Sequence, residues 1–214
     1  MRVDVKFCGL TRAADALEAA RLGAAYVGVV FAGGPRRVSP AVAAAILAEV
    51  PAGVARIGVI GRGLPEALAE QAAAAGLDGV QLHGDPDAAA VDAVRRCFGG
   101  SVWAVVRVED RLPAGFDALA AAADAVVLDT RVAGRLGGSG IAFDWGSVAR
   151  QLDRRRPRRL VVAGGLTPEN VADAVERLAP DVVDVSSGVE SAPGVKDHAR
   201  MRAFVGALAA PGAV

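Results

Sequence analysis

The sequence predicts a single (β/α)₈ barrel, a closed parallel sheet of eight strands ringed by helices. Three observations predict it. Short β-branched runs alternate with longer alanine-rich helical stretches, the alternation repeats eight times, and no linker or low-complexity tail interrupts it across residues 1–214. Strict alternation implies parallel strands, because parallel neighbours need a crossover connection, usually a helix. An open, doubly wound sheet would show the same alternation. The count of eight favours the closed TIM-barrel form, with 214 residues near its small end.

The strands are expected at Val3–Cys8, Tyr26–Phe31, Ala55–Ile60, Gly79–Leu82, Val102–Arg107, Ala125–Asp129, Leu160–Ala163 and Val182–Val185. Each is short, rich in valine or isoleucine, and bounded by glycine or polar residues, as strands are. Helical patterns fill the intervals: Ala13–Leu22, Pro40–Glu49, Pro65–Ala75, Asp87–Cys97, Phe116–Ala122, Trp145–Leu152, Pro168–Leu178 and Asp197–Leu208. Ser39-Pro40 and Thr167-Pro168 each read as an N-cap followed by proline at the first helical position. Gly23 and Gly76 stand where left-handed helix stops belong.

Composition narrows the function. Acidic and basic residues balance at 24 each, which gives no basic footprint for nucleic acid or an anionic membrane. No apolar run approaches the roughly 20 residues that span a bilayer. Arg2, Asp4 and Lys6 interrupt what would be the apolar core of a signal peptide. The two cysteines, Cys8 and Cys97, make no disulfide framework, so a reducing, cytoplasmic setting is expected. The two histidines, His83 and His198, lack zinc-type spacing, and neither a metal nor another cofactor is expected.

A barrel of this class puts its chemistry at the C-terminal ends of its strands. In the first strand, alternation points Val3, Val5 and Phe7 at the helices and Asp4, Lys6 and Cys8 into the barrel. Cys8 therefore ends at the mouth as a candidate nucleophile or base. Lys6, on the same face, is expected to lower its thiol pKa from the usual value of about 8.5. Cys97 fits a small buried hydrophobe instead. Asp129, on the inner face of the sixth strand, is a candidate general acid, or a simple cap of the next turn. His83 also ends a strand, whereas His198 reads as a surface residue. Arg36, after the flexible Gly33-Gly34-Pro35, can clamp a carboxylate bidentately, or be an ordinary solvated loop charge. Three glycine-rich segments, Gly138-Ser139-Gly140, Gly164-Gly165 and Ser186-Ser187-Gly188, fall in the last third. Glycine lets backbone N–H groups approach an anion, and the loops after strands seven and eight are the usual phosphate site of the fold. The expected partner is a small phosphorylated molecule.

Lys6-Phe7-Cys8-Gly9-Leu10-Thr11, Pro35-Arg36-Arg37-Val38-Ser39, Gln81-Leu82-His83-Gly84, Leu128-Asp129-Thr130, Gly137-Gly138-Ser139-Gly140, Ala163-Gly164-Gly165-Leu166 and Asp184-Val185-Ser186-Ser187-Gly188-Val189-Glu190 run in order along the chain. Together they resemble the phosphoribosylanthranilate isomerase family of the tryptophan pathway. The resemblance implies a cofactor-free Amadori rearrangement with Asp129 as general acid and Cys8 as general base. It gives Arg36 to the anthranilate carboxylate, Asp184 to the sugar hydroxyls, Gln81 and His83 to the substrate, and the glycine-rich segments to the phosphate. A monomer or a homodimer is compatible with it. The chain departs from the family pattern at Phe7, Gly34, Ile60 and Ile141, none of them a proposed catalytic group.

Two rivals share the fold. Another phosphosugar or ribonucleotide isomerase would resemble a pattern with two catalytic aspartates, which Cys8 opposes. A catalytically silent phosphate-binding barrel would keep the glycines but have no need of Cys8 and Asp129 together.

Overall fold

Eight short parallel strands, each leading to a helix, close on themselves in the order β1 to β8 in a computed structural model that describes residues 3–108, 111–129 and 145–209. The strands are β1 (Asp4–Phe7), β2 (Tyr26–Val30), β3 (Ala55–Ile60), β4 (Gly79–Leu82), β5 (Ser101–Arg107), β6 (Ala125–Asp129), β7 (Leu160–Ala163) and β8 (Val182–Val185). The helices are α1 (Ala13–Arg21), α2 (Pro40–Leu47), α3 (Pro65–Ala74), α4 (Ala88–Cys97), α5 (Phe116–Ala122), α6 (Trp145–Leu152), α7 (Val171–Leu178) and α8 (His198–Ala209). Closure is sealed between the first and last strands, where Lys6 pairs with Asp184 in parallel register.

Alternation along each strand divides the buried side chains into two cores. The outer one, between sheet and helices, holds Val5, Phe7, Val27, Val29, Val80 and Leu128 among many others. The inner one fills the barrel with Tyr26, Ile57, Trp103, Val105, Val127, Val161 and Val182. Trp103 meets Tyr26 edge-on at 4.9 Å between centroids, the favoured geometry for aromatic quadrupoles. These two rings close the lower barrel, so the inner residues above them can line a cavity.

The helix starts follow the sequence chemistry with one exception. Ser39 Oγ accepts from the Val42 amide at the head of α2, and Asp87 Oδ1 does the same from Ala90 at the head of α4. Gly23 and Gly76 take left-handed φ angles of 78° and 63° as helix stops. The expected helix from Pro168 begins instead at Val171. Thr167 and Asn170 close a separate turn there, with the Thr167 amide donating to Asn170 Oδ1 at 2.8 Å. Cys97 is exposed, with its thiol 3.8 Å from Glu66 Oε1, so it is not the buried hydrophobe its helical setting suggested.

An element with no forewarning in the sequence follows β8. A 3₁₀ turn (Ser187–Val189) leads into a two-stranded hairpin, β9 (Glu190–Ala192) and β10 (Val195–Lys196), before α8. Runs of three and two residues are too short to show a period. Among the described residues no helix is long and apolar enough to cross a membrane.

Candidate active site

All eight strands contribute to one cavity of about 460 Å³ at their C-terminal ends. Its lining includes the apolar side chains of Val59, Val105 and Val127. Its walls carry Cys8 after β1, Gln81 and His83 from β4, Asp129 at the end of β6, and Asp184 in β8. Arg36, Gly164, Gly165, Ser186 and Ser187 complete the rim. Ten of the residues singled out from the sequence thus converge on one cavity. Of the others, Gly188 does not line it, and Gly138, Ser139 and Gly140 lie outside the described residues. Arg107, at the end of β5, lines it unexpectedly and pairs with Asp85 at 3.1 Å.

Cys8 sits above a buried charge pair. Lys6 Nζ donates to Asp184 Oδ2 at 2.7 Å and to Gln81 Oε1 at 3.0 Å, and its side chain is 0% exposed. Burial pulls the Lys6 ammonium down, but the attraction of Asp184 and Cys8 outweighs it, and its pKa ends up raised. Cys8 is itself buried. Burial pushes its thiol up, and the positive charges of Lys6 and Lys196 only partly oppose that. The expected lowering by Lys6 is therefore present as a component, but desolvation is the larger effect. Gly28, facing them from β2, makes the room: a Cβ there would lie 3.0 Å from Cys8 Sγ and 3.3 Å from Lys6 Cε.

Asp184 is buried, with one oxygen on Lys6 and the other, Oδ1, lacking a hydrogen-bond partner among the described residues. An unsatisfied buried acceptor beside a cavity is suited to a hydroxyl donor from a ligand. Asp129 is half-buried, and its backbone carbonyl accepts from the Val108 amide at 3.2 Å, fixing the strand end from which its side chain projects.

Arg36 does not present a free guanidinium. Its Nε and Nη2 donate to the two carboxylate oxygens of Glu190 at 2.8 and 2.6 Å. Glu190 also accepts from Lys196 Nζ at 2.9 Å, and Lys196 donates in turn to the Ser186 carbonyl at 3.1 Å. Burial acts to raise the Glu190 pKa, but the hydrogen bonds from Arg36 and Lys196 prevail and hold it below the usual range. Arg36 crosses the backbone at Gly9, where φ is +72° and a Cβ would lie 2.5 Å from Arg36 Cδ. Glycine is required there both by conformation and by space.

The glycine-rich loops after β7 and β8 touch. Gly188 has no room for a side chain, since a Cβ would fall 1.8 Å from the Leu166 carbonyl oxygen. Its glycine serves this contact rather than direct lining. Gly164 and Gly165 take φ angles of +87° and +66°, which turn the β7 loop back at the cavity rim. The outcome is a small-residue rim of Gly164, Gly165, Ser186 and Ser187, whose backbone can approach an anion closely.

Residue-by-residue reading missed Glu190 and Lys196 as functional candidates, and it missed the ion-pair partner of the partly exposed His198. That histidine's Nε2 lies 2.9 Å from Asp15 Oδ1, inside a cluster in which Arg12 and the Lys196 amide also bind Asp15. Among the described residues no group of three or more His, Cys, Asp or Glu stands ready to hold a metal.

The sequence profile of the N-(5′-phosphoribosyl)anthranilate isomerase family matches residues 5–207. The chain is 43% identical over 204 residues to the N-(5′-phosphoribosyl)anthranilate isomerase of Pseudomonas fluorescens strain Pf0-1, covering 95% of this chain and 97% of that one. Its structure is similar to the crystal structure of phosphoribosyl anthranilate isomerase from Thermotoga maritima, with a TM-score of 0.83 and 37% identity over 95% of this chain and 97% of that one. A crystal structure of a phosphoribosyl anthranilate isomerase in complex with reduced 1-(o-carboxyphenylamino)-1-deoxyribulose 5-phosphate is similar at a TM-score of 0.80 and 35% identity, over 95% of this chain and 96% of that one.

Proposed function

The chain belongs to the N-(5′-phosphoribosyl)anthranilate isomerase family, an isomerase family of tryptophan biosynthesis, and from that premise we propose how its own residues carry the reaction. N-(5′-phosphoribosyl)anthranilate is converted to 1-(2-carboxyphenylamino)-1-deoxyribulose 5-phosphate. Protonated Asp129 gives its proton to the ribose ring oxygen. The C1′–O bond breaks, the ring opens, and an iminium forms between C1′ and the anthranilate nitrogen. The Cys8 thiolate then takes the C2′ proton, and the freed electron pair neutralises the iminium to an enolamine. Tautomerisation delivers the 2-ketose. The ring-oxygen proton and the C2′ proton are thus handled by separate groups, so neither has to serve as acid and base at once.

Arg36 holds the anthranilate carboxylate, with Asp184 on the sugar hydroxyls and Gln81 and His83 on the substrate between them. The loops with Gly164, Gly165, Ser186, Ser187 and Gly188 hold the phosphate, joined by the segment with Gly138, Ser139 and Gly140. The chain works as one catalytic domain, as a monomer or homodimer, in the cytoplasm. One observation carries this reading: a thiol and a carboxyl, from β1 and β6, line the same cavity as the glycine and serine rim of β7 and β8.

The test is the pH–rate profile with and without the acid. Asp129→Asn is expected to lose the descending limb assigned to the acid and to lower kcat by about 10²- to 10⁴-fold. An unchanged profile removes Asp129 from the mechanism.

A further inference from the structure

We propose that the β9–β10 hairpin is a positioning device for Arg36. Glu190 fixes the guanidinium, and Lys196 offsets the charge of Glu190 so that the trio stays cationic towards a substrate carboxylate. The inference rests on the reading of Arg36 as the carboxylate clamp and names what makes that clamp work.

The donor count sets the geometry. A guanidinium carries five N–H donors. Glu190 takes one from Nε and one from Nη2. The fork left for a second carboxylate is the end edge formed by Nη1 and the remaining Nη2 proton. Substrate is therefore received end-on, while the side edge is held by the protein. Gly9 confines the same side chain from its stem, because Arg36 Cδ occupies the space of a missing Cβ. A long side chain held at both stem and fork loses little further rotamer freedom when the ligand binds.

Charge explains the lysine. Arg36 paired with Glu190 alone is neutral, and a neutral pair has little net attraction for an anion. Lys196 restores one positive charge to the cluster. Its side chain is 0% exposed, a costly place for an ammonium unless it is paired. The pairing is present, with Glu190 at 2.9 Å and the Ser186 carbonyl at 3.1 Å. The hairpin is also held from behind: the Lys196 amide donates to Asp15 Oδ2, and the Thr11 hydroxyl donates to the Gly194 carbonyl. Glu190 and Lys196 thus act through Arg36 as positioning residues.

The test compares steady-state kinetics on N-(5′-phosphoribosyl)anthranilate, with inorganic phosphate as a competitive inhibitor, for four proteins. They are the wild type, Arg36→Ala, Lys196→Met, and the double variant Glu190→Gln/Lys196→Met. Lys196→Met is expected to raise KM by about tenfold or more, while phosphate inhibition moves by less than about threefold. The double variant again carries one net positive charge in the trio but no longer fixes the guanidinium, so it is expected to recover part of that KM without reaching the wild-type value. A merely structural lysine would give no such recovery. An unchanged KM in Lys196→Met, or a double variant no better than the single, overturns the proposal. An Arg36→Ala variant with wild-type KM overturns the carboxylate clamp itself, a failure distinct from normal sensitivity to Arg36→Ala with indifference to Lys196. Should Lys196→Met fail to fold, the double variant decides alone, since it leaves no unpaired carboxylate. A KM between those of the wild type and Arg36→Ala supports the proposal, and a KM equal to either one overturns it.

Discussion

The Cys8 thiol is pulled in opposite directions by its surroundings. Burial raises its pKa, Lys6 and Lys196 lower it, and burial prevails. A base with a raised pKa is less populated at neutral pH but stronger once formed. In Asp129→Asn, where the acid no longer titrates, the residual rate should therefore climb with pH along a limb whose midpoint lies above the ordinary thiol value of about 8.5. Measurement of that variant's kcat/KM against pH reads that limb in the free enzyme, and a midpoint below the ordinary value would contradict the burial argument. Gly28 is the spatial counterpart. Because a Cβ there would reach within 3.0 Å of the sulfur, Gly28→Ala should shift the thiol and lower kcat by about tenfold or more, with a smaller effect on KM. An unchanged kcat in a folded variant would mean that the thiol yields without loss. Period-two alternation in the first strand was enough to place Lys6 and Cys8 inside the barrel. The net direction of the thiol shift was not legible there, because desolvation depends on what all the other strands bring around it.

At the scale of elements, Asp15 of α1 ties three segments together. Its carboxylate accepts from Arg12, from the Lys196 amide of β10, and lies 2.9 Å from His198 Nε2 of α8. Burial acts to raise its pKa, but these partners win and depress it. A depressed carboxylate contributes stability that is complete above the unfolded pKa of about 3.9. That stability is lost as the pH falls below this value towards the lower folded one. Asp15→Asn should cost about 2 kcal/mol near neutrality and flatten the fall in stability between about pH 5 and 2, as read by urea melts. Equal acid sensitivity in both proteins would deny Asp15 this role. The strands and most helices were legible because each repeats a period or carries a cap. The β9–β10 hairpin was not, since two or three residues hold no period. Asn170 also hid the true start of α7, because its side chain stabilises a turn that mimics a helix cap.

For the whole molecule, the decisive step is closure. Pairing of β1 with β8 brings Lys6 beside Asp184, 178 residues away, and Arg36 to Glu190, 154 residues away. Alternating strands and helices announce a parallel sheet, and a count of eight favours a barrel. Neither says which loop will lie against which. That is why Cys8, Asp129 and the rim serines could be named in advance as strand ends, and Asp184 through the family resemblance, while the Glu190 partner of Arg36 could not. Closure also explains the single-ended architecture. Tyr26 and Trp103 fill the lower barrel, and the cavity opens where strands β1 and β6 end in the thiol and the carboxyl. The central claim is that this pair of ends performs the isomerisation. Its most direct test is the loss of anthranilate-type fluorescence when the purified protein meets freshly generated N-(5′-phosphoribosyl)anthranilate, run beside a folded Cys8→Ala variant. Rapid loss with the wild type alone is the predicted result. Equal loss with Cys8→Ala, or none with the folded wild type, would contradict the account.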